Sequence, residues 1–314
     1  MIELVLTAKS ANRVRFGISP LDETMGAMQT LLGRRGHPSH LPWLRGAAAK
    51  LPELPIGDFA KVMSARHYIT DFLSPPPSGP ETTASAQLAE IRRTAPEQVA
   101  RELSKVDADL SGLPEDPAEA RDLLAGQMEI AWTELVEPHW PRMRRFLVAD
   151  IEERSRRLAD GGIARVLEDI HPRVRLVDDV LVIEMKERNR VHLDRRGLLL
   201  IPGVFAWPSV GVIAMEPWQP SLLYPARGVA ELWSDPERPS DALAGVLGRT
   251  KAALLTTLNE PASTTELARR LGFTAPTVSQ HLTAMRAAGL LDTRRRGREV
   301  RYLRTELGDA LLRA

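Results

Sequence analysis

Apolar positions recur along this chain with two different periods, and the places where the period changes outline its elements. Residues 2–7 and 13–18 alternate well enough to predict two short strands around Ala11-Asn12. Pro20 then opens a helix carrying Met25, Met28, Leu31 and Leu32, which Gly33-Arg34-Arg35-Gly36 ends. Residues 74–80 contain Pro75-Pro76-Pro77 and Pro80, which neither continue a helix nor pair inside a sheet. They predict a loop, with a hinge near residues 74–86.

Helical spacing returns over residues 117–158, with Leu123, Leu124, Ile130 and Leu135 followed by Phe146, Leu147 and Ile151. Pro138 and Pro141 split it into two helices, and Gly161-Gly162 closes the second. Between residues 174 and 232 the period shortens to that of strands. Four apolar runs, at 180–185, 191–193, 198–201 and 210–213, are separated by polar or Pro-rich turns, predicting a small sheet packed on the helices before it. Asp178-Asp179 reads as one of those turns. The polar stretch 234–240, with Pro236 and Pro239, marks a domain boundary, giving an N-terminal domain over 1–239 and a second domain over 240–314.

The 314-residue length suits two domains, and the expected fold class is α+β, a mixed helical and small-sheet domain followed by a smaller helical module. The chain has no cysteine, which removes disulfides and thiolate chemistry together. No apolar run is long enough for a membrane helix and the first residues lack a signal-peptide pattern, so a cytoplasmic location is expected. The net charge of +1 hides an uneven distribution. Residues 244–314 carry 12 Lys and Arg against 6 Asp and Glu, leaving 30 against 35 over the rest. A basic end on an acidic body points to a polyanion met by the end alone.

That basic end is also the most regular part of the chain. Leu243, Val246, Leu247, Leu254, Leu255 and Leu258 predict one helix, stopped by Asn259-Glu260-Pro261. Ser263 or Thr264 caps a second over 265–271, with Leu267, Ala268 and Leu271 inward. Leu271-Gly272-Phe273 is a tight helix-to-helix turn, and Thr274 with Pro276 opens a third helix whose buried stripe is Val278, Leu282 and Met285. Thr277, Gln280, His281 and Ala284 fall on other faces, and small or hydrogen-bonding side chains there suit base edges in a major groove. Beyond Gly289, two short runs flank Arg296-Gly297-Arg298 in a hairpin. Six arginines in the eleven residues 294–304 make it a cationic ribbon fit for phosphates or a minor groove.

The run Thr277-Val278-Ser279-Gln280-His281-Leu282, then Met285-Arg286-Ala287-Ala288-Gly289-Leu290-Leu291, then Arg296-Gly297-Arg298 and Arg301-Tyr302, resembles the winged-helix signature of ArsR/SmtB-type transcriptional regulators. The resemblance implies a homodimer that reads an inverted repeat in double-stranded DNA, with repression the commoner outcome, and with Gln280 and His281 facing the groove. On it we place Thr277, Gln280 and His281 at bases, and Ser279, Arg294, Arg295, Arg296, Arg298 and Arg301 at phosphates or the minor groove. It does not imply metal sensing, since residues 265–271 offer only Glu266. The front three quarters resemble the uncharacterised amino-terminal domain of actinobacterial members of that family, through Val191-His192-Leu193-Asp194, residues 197–202 and Trp207-Pro208.

Other candidates carry simpler readings. His37 and His40 bracket Pro38 with no carboxylate close by, so they read as loop histidines, and neither a metal nor a cofactor is expected. Phe205, Trp207, Trp218 and Tyr224, interleaved with Pro208, Pro217, Pro220 and Pro225, supply rigid aromatic surface. Packing in a core or dimer seam is the simpler account, and a pocket for a small-molecule effector the alternative. No phosphate-cradling glycine loop, nucleophile elbow or zinc-protease motif is present, so no enzyme is expected. The competing readings are a winged helix used as a protein-interaction module, and a DNA-binding end fused to an enzymatic front domain.

Overall fold

The two amino-terminal strands do not pair with each other. In the computed structural model, β1 (Ile2–Val5) and β2 (Val14–Phe16) enter different sheets, and Ala11-Asn12 lies outside the described residues. The structure describes the chain apart from residues 8–12, 67, 187, 194, 215, 217, 234–240, 259–260, 297–298 and 314. It divides into two units, Met1–Trp233 and Ser234–Ala314; the polar stretch 234–240 falls outside the description.

In the first unit the strands are followed by α1 (Pro20–Leu31), α2 (Leu41–Lys50), α3 (Gly57–Met63), α4 (Ala84–Arg93), α5 (Pro96–Leu103), α6 (Pro117–Ala131) and α7 (Trp140–Leu167). Then come β3 (Val174–Val177), β4 (Val180–Ile183), β5 (Asn189–His192), β6 (Leu198–Gly203), β7 (Gly211–Ile213), β8 (Ser221–Pro225) and the short α8 (Val229–Leu232). One sheet runs β3-β4-β1-β5 and the other β2-β6-β8-β7. Instead of one sheet there are two, because each amino-terminal strand completes one of them: β1 lies parallel to β5, and β2 parallel to β6. Every residue of β6 is buried, as befits an apolar run flanked on both sides by parallel partners. Asp178, at φ 52, makes the turn between β3 and β4.

The break between α6 and α7 falls at Pro138, where a π turn and a 3-10 turn intervene, and Pro141 sits in the first turn of α7. Gly161 and Gly162 leave the helical conformation, so the helix that begins at Trp140 closes there as expected, and a further short helical stretch continues the span of α7 to Leu167. Helices α2 to α5 are short, and α2, α3 and α4 pack on α1, most of whose residues are buried. The segment read as a hinge is held in place. The Pro75 carbonyl accepts from Gln87 Nε2 at 2.7 Å, the Gly79 carbonyl accepts from the Ile18 amide at 3.3 Å, and Thr83 caps α4. Burying Pro75 and Pro77 obliges these carbonyls to find partners, which ties the loop to the core.

Two cores result. One gathers Leu21, Met28, Phe59, Leu124 and Met128 under the helices, and the other gathers Leu4, Leu181, Leu198 and Leu222 with the end of α7. Buried ionisable groups join elements across them. Glu23 on α1 accepts from the amides of Val204 at 2.6 Å and Phe205 at 3.1 Å, tying the helix to the exit of β6. On α7, Asp150 accepts from Tyr224 Oη at 2.8 Å and from Arg154 Nε at 3.1 Å, while Arg154 Nη1 donates to the Val166 carbonyl at 2.8 Å. Both members of that ion pair are 1% exposed.

Burial pushes the Glu23 carboxyl up to about 8, against the two amide bonds that favour its anion, and burial likewise raises Asp22 to about 6. An acid whose pKa rises on folding keeps a proton that the unfolded chain releases. Its contribution is therefore complete below its ordinary value and is lost as pH climbs through the folded one. Thermal denaturation should show stability falling between about pH 4.5 and 8, with a shallower fall in Glu23→Gln. Removing the buried partner in Asp150→Ala should cost about 3–5 kcal/mol in chemical denaturation, because buried Arg154 keeps only the longer 3.6 Å ion contact with Asp169 and Tyr224 Oη loses its acceptor.

Candidate nucleic-acid interface

The second unit comprises α9 (Asp241–Leu247), α10 (Arg249–Thr257), β9 (Ala262–Ser263), α11 (Thr264–Leu271), α12 (Ala275–Ala287), β10 (Leu291–Arg296), β11 (Glu299–Arg304) and α13 (Glu306–Arg313). Its first helix is not continuous. Gly248, at φ 79 and ψ 147, breaks it, and Val246 is 77% exposed where the apolar pattern had placed it inward.

Local chemistry sets the approach to α12. Ser263 and Glu266 form a reciprocal capping box, Ser263 Oγ accepting from the Glu266 amide and Glu266 Oε2 from the Ser263 amide at 2.9 Å. The Ser263 amide, with Arg301 and Arg270 nearby, holds the Glu266 carboxyl below its ordinary value. Gly272 ends α11 at φ 70 and ψ 23, and the amides of both Gly272 and Phe273 donate to the Ala268 carbonyl. A left-handed residue there costs other side chains about 1 kcal/mol or more. Thr274 caps α12, its Oγ1 accepting from the Thr277 amide at 3.4 Å, and Pro276 occupies the first turn.

Val278, Leu282 and Met285 are buried, packing α12 onto α10 and α11 with Leu254, Leu255 and Leu267. Thr277, Gln280, His281 and Ala284 stand at i, i+3, i+4 and i+7, so they share one flank. Thr277 and Gln280 are exposed and His281 half-buried, while the Thr277 hydroxyl lies 2.8 Å from that of Thr274. Ser279 is exposed but points from the other flank, with Thr283 and Arg286.

The hairpin pairs Arg294 with Arg301, Arg295 with Val300 and Arg296 with Glu299, and β9 joins as a third strand along Arg301 and Tyr302. Arg294 and Arg295 are exposed. Arg301 has another use: its guanidinium lies 3.4 Å from Glu266 Oε1 and 3.4 Å from the Pro261 carbonyl, tying the wing to the start of α11. Arg304 similarly pairs with Asp309 at 2.6 Å and donates to the Leu255 carbonyl. Among the described side chains of the hairpin, the outward charge therefore lies on Arg294 and Arg295 of β10. Of the remaining positions, Arg298 lies outside the described residues, as does the side chain of Arg296.

The four aromatic candidates of the first unit do not converge. Phe205 is buried in the helical core between Trp43, His40 and Trp233, with ring centroids 4.6, 4.7 and 6.0 Å away, whereas Tyr224 is buried in the sheet core on Asp150. Trp207 is 40% exposed against His171, and Trp218 is half-buried with its Nε1 lacking a partner. Side chains that fill two separate cores cannot wall one pocket, and Pro217 lies outside the described residues. His40 is part of the aromatic cluster: its Nδ1 accepts from Trp233 Nε1 at 2.9 Å, and burial pulls its pKa down to about 4.

A helical core, a glycine turn into an exposed helix and a three-stranded sheet with a basic hairpin define this unit as a winged helix-turn-helix, the carboxy-terminal part of an α+β chain. Residues 247–294 match the model of a helix-turn-helix domain, and residues 81–230 match a family of unknown function (DUF5937). No curated protein and no solved structure matches the chain. No helix among the described residues is long and apolar enough to cross a membrane.

Ser263→Ala should lower the stability of the full chain's carboxy-terminal transition by about 1 kcal/mol, and Gly272→Ala by about 1 kcal/mol or more. Hydrogen exchange resolved over residues 262–296 checks both, with faster exchange confined to α11, α12 and the wing.

Proposed function

We propose that the chain is a transcriptional regulator that binds duplex DNA as a homodimer on an inverted repeat. The observation carrying this reading is the flank of α12 formed by Thr277, Gln280, His281 and Ala284, polar or small and turned away from the packed stripe, beside the exposed Arg294 and Arg295. A helix with that face enters a major groove, where Gln280 offers both a donor and an acceptor to a base edge and His281 lies next to it. Ser279, on the other flank, meets a phosphate on one side of the groove, and the β10 arginines meet the backbone or the adjacent minor groove on the other. The basic balance of residues 244–314 supports the same polyanionic partner.

One recognition helix covers only a few base pairs, so a second copy supplies the remaining specificity. The resemblance to ArsR/SmtB-type regulators favours that dimer, and the exposed Val246 on α9 and Leu307 on α13 offer apolar surface for it. Occupying a promoter would exclude polymerase and repress.

Titration of a labelled promoter fragment at several salt concentrations tests the assignment. Log affinity should fall linearly with log salt, at roughly −0.9 per phosphate neutralised. Replacing Arg294 and Arg295 with Ala should make the slope shallower by about 1–2 while leaving sequence preference intact. Gln280→Ala should do the reverse, relaxing preference at one position of each half-site by about 1–3 kcal/mol. A salt-independent affinity, or unchanged behaviour in both variants, contradicts the roles given.

A further inference from the structure

Within the first unit a cavity of about 810 Å³ opens between α1 with the following Arg34 and Arg35, the segment 65–74, and strands β6 to β8. That volume lies in the range of pockets that hold drug-sized molecules. Its floor is apolar, made by Met25, Ile69, Ile201, Val210 and Leu223. Its polar groups are unevenly charged. Arg34, Arg35, Arg66 and Lys105 line it against Asp22 and Asp71, and Asp22 is already engaged, accepting a short hydrogen bond from Ser74 Oγ. Lys105 lies over the Tyr68 ring, 5.2 Å from its centroid.

Two groups in the wall lack partners. Thr70 is 1% exposed, and its Oγ1 has no hydrogen-bond partner. Arg35 is half-buried and makes no ion pair among the described residues, Asp22 and Glu23 acting on it only through space. A partly desolvated guanidinium is held most strongly by a bidentate carboxylate. Apolar floor, cationic wall and the unpaired Arg35 guanidinium together describe a receptor for a molecule with an apolar body and one anionic end.

We propose that this cavity binds a small amphipathic monocarboxylate, its carboxylate forked on the Arg35 guanidinium and its apolar body lying over Met25, Val210 and Leu223. The site stands on the first unit alone, so it does not depend on how the carboxy-terminal unit reads DNA. It differs from the aromatic set at 205–224, none of which lines it.

Isothermal titration calorimetry on the full chain, with octanoate, decanoate, 4-phenylbutyrate and indole-3-acetate beside the alcohol matching each, tests the proposal. At least one carboxylate should bind saturably at one site per chain, about tenfold or more tighter than its alcohol. Arg35→Gln should weaken it about tenfold and Arg35→Lys by less, and Ile213→Trp, which fills the cavity from the edge strand β7, should abolish binding. Failure of the whole panel to bind overturns the proposal, as does equal affinity for acid and alcohol. Unchanged binding in Ile213→Trp does the same, and that variant together with the acid-to-alcohol ratio decides the matter should Arg35→Gln not fold.

Discussion

Three side chains on one stripe of α12 are fully buried. Val278, Leu282 and Met285 go into the core formed with α10 and α11, and because they satisfy the helix's need for burial, the opposite surface is free to be polar. The angle at which that surface is presented comes from the joint before it, where Gly272 turns left-handed and Thr274 restarts the chain as a helix. The capping box at Ser263 and the Arg301 ion pair to Glu266 fasten the wing to the other end of α11. Recognition helix and hairpin are thus positioned by contacts at the two ends of one short helix.

The wing illustrates how a charge run divides between structure and surface. Six arginines look alike in sequence, but strand register and neighbouring acids sort them. Arg301 and Arg304 face Glu266 and Asp309 and hold the sheet to its helices, while Arg294 and Arg295 keep their charge outward. In the first unit ionisable groups are turned inward. Glu23 and the Asp150–Arg154 pair are buried, and their hydrogen bonds join elements that are distant along the chain.

The winged unit was largely legible before its structure was known, since its signals are local: a periodic apolar stripe, a cap, a glycine turn and a hairpin flanked by strands. The break at Gly248 escaped because apolar positions continue across it, and Val246 was placed inward by the same periodicity. The first unit was less legible because its organisation is non-local. Pairing β1 with β5 and β2 with β6 links residues nearly two hundred positions apart, which no window of sequence can register. The aromatic set at 205–224 misled for a related reason. Neighbours along the chain enter different cores, and Phe205 finds its partners in Trp43, His40 and Trp233. The cavity beside Arg35 drew no signal at all, because its walls come from segments scattered between residues 2 and 223.

The central claim is that the polar flank of α12 reads bases. Selection of bound sites from a pool of random duplexes with the full chain tests it most directly. The account predicts recovery of an inverted repeat whose half-site centres lie about one helical turn or a multiple apart. Recovery of no common sequence from a protein shown by hydrogen exchange to keep its α11 to β11 region folded would contradict it.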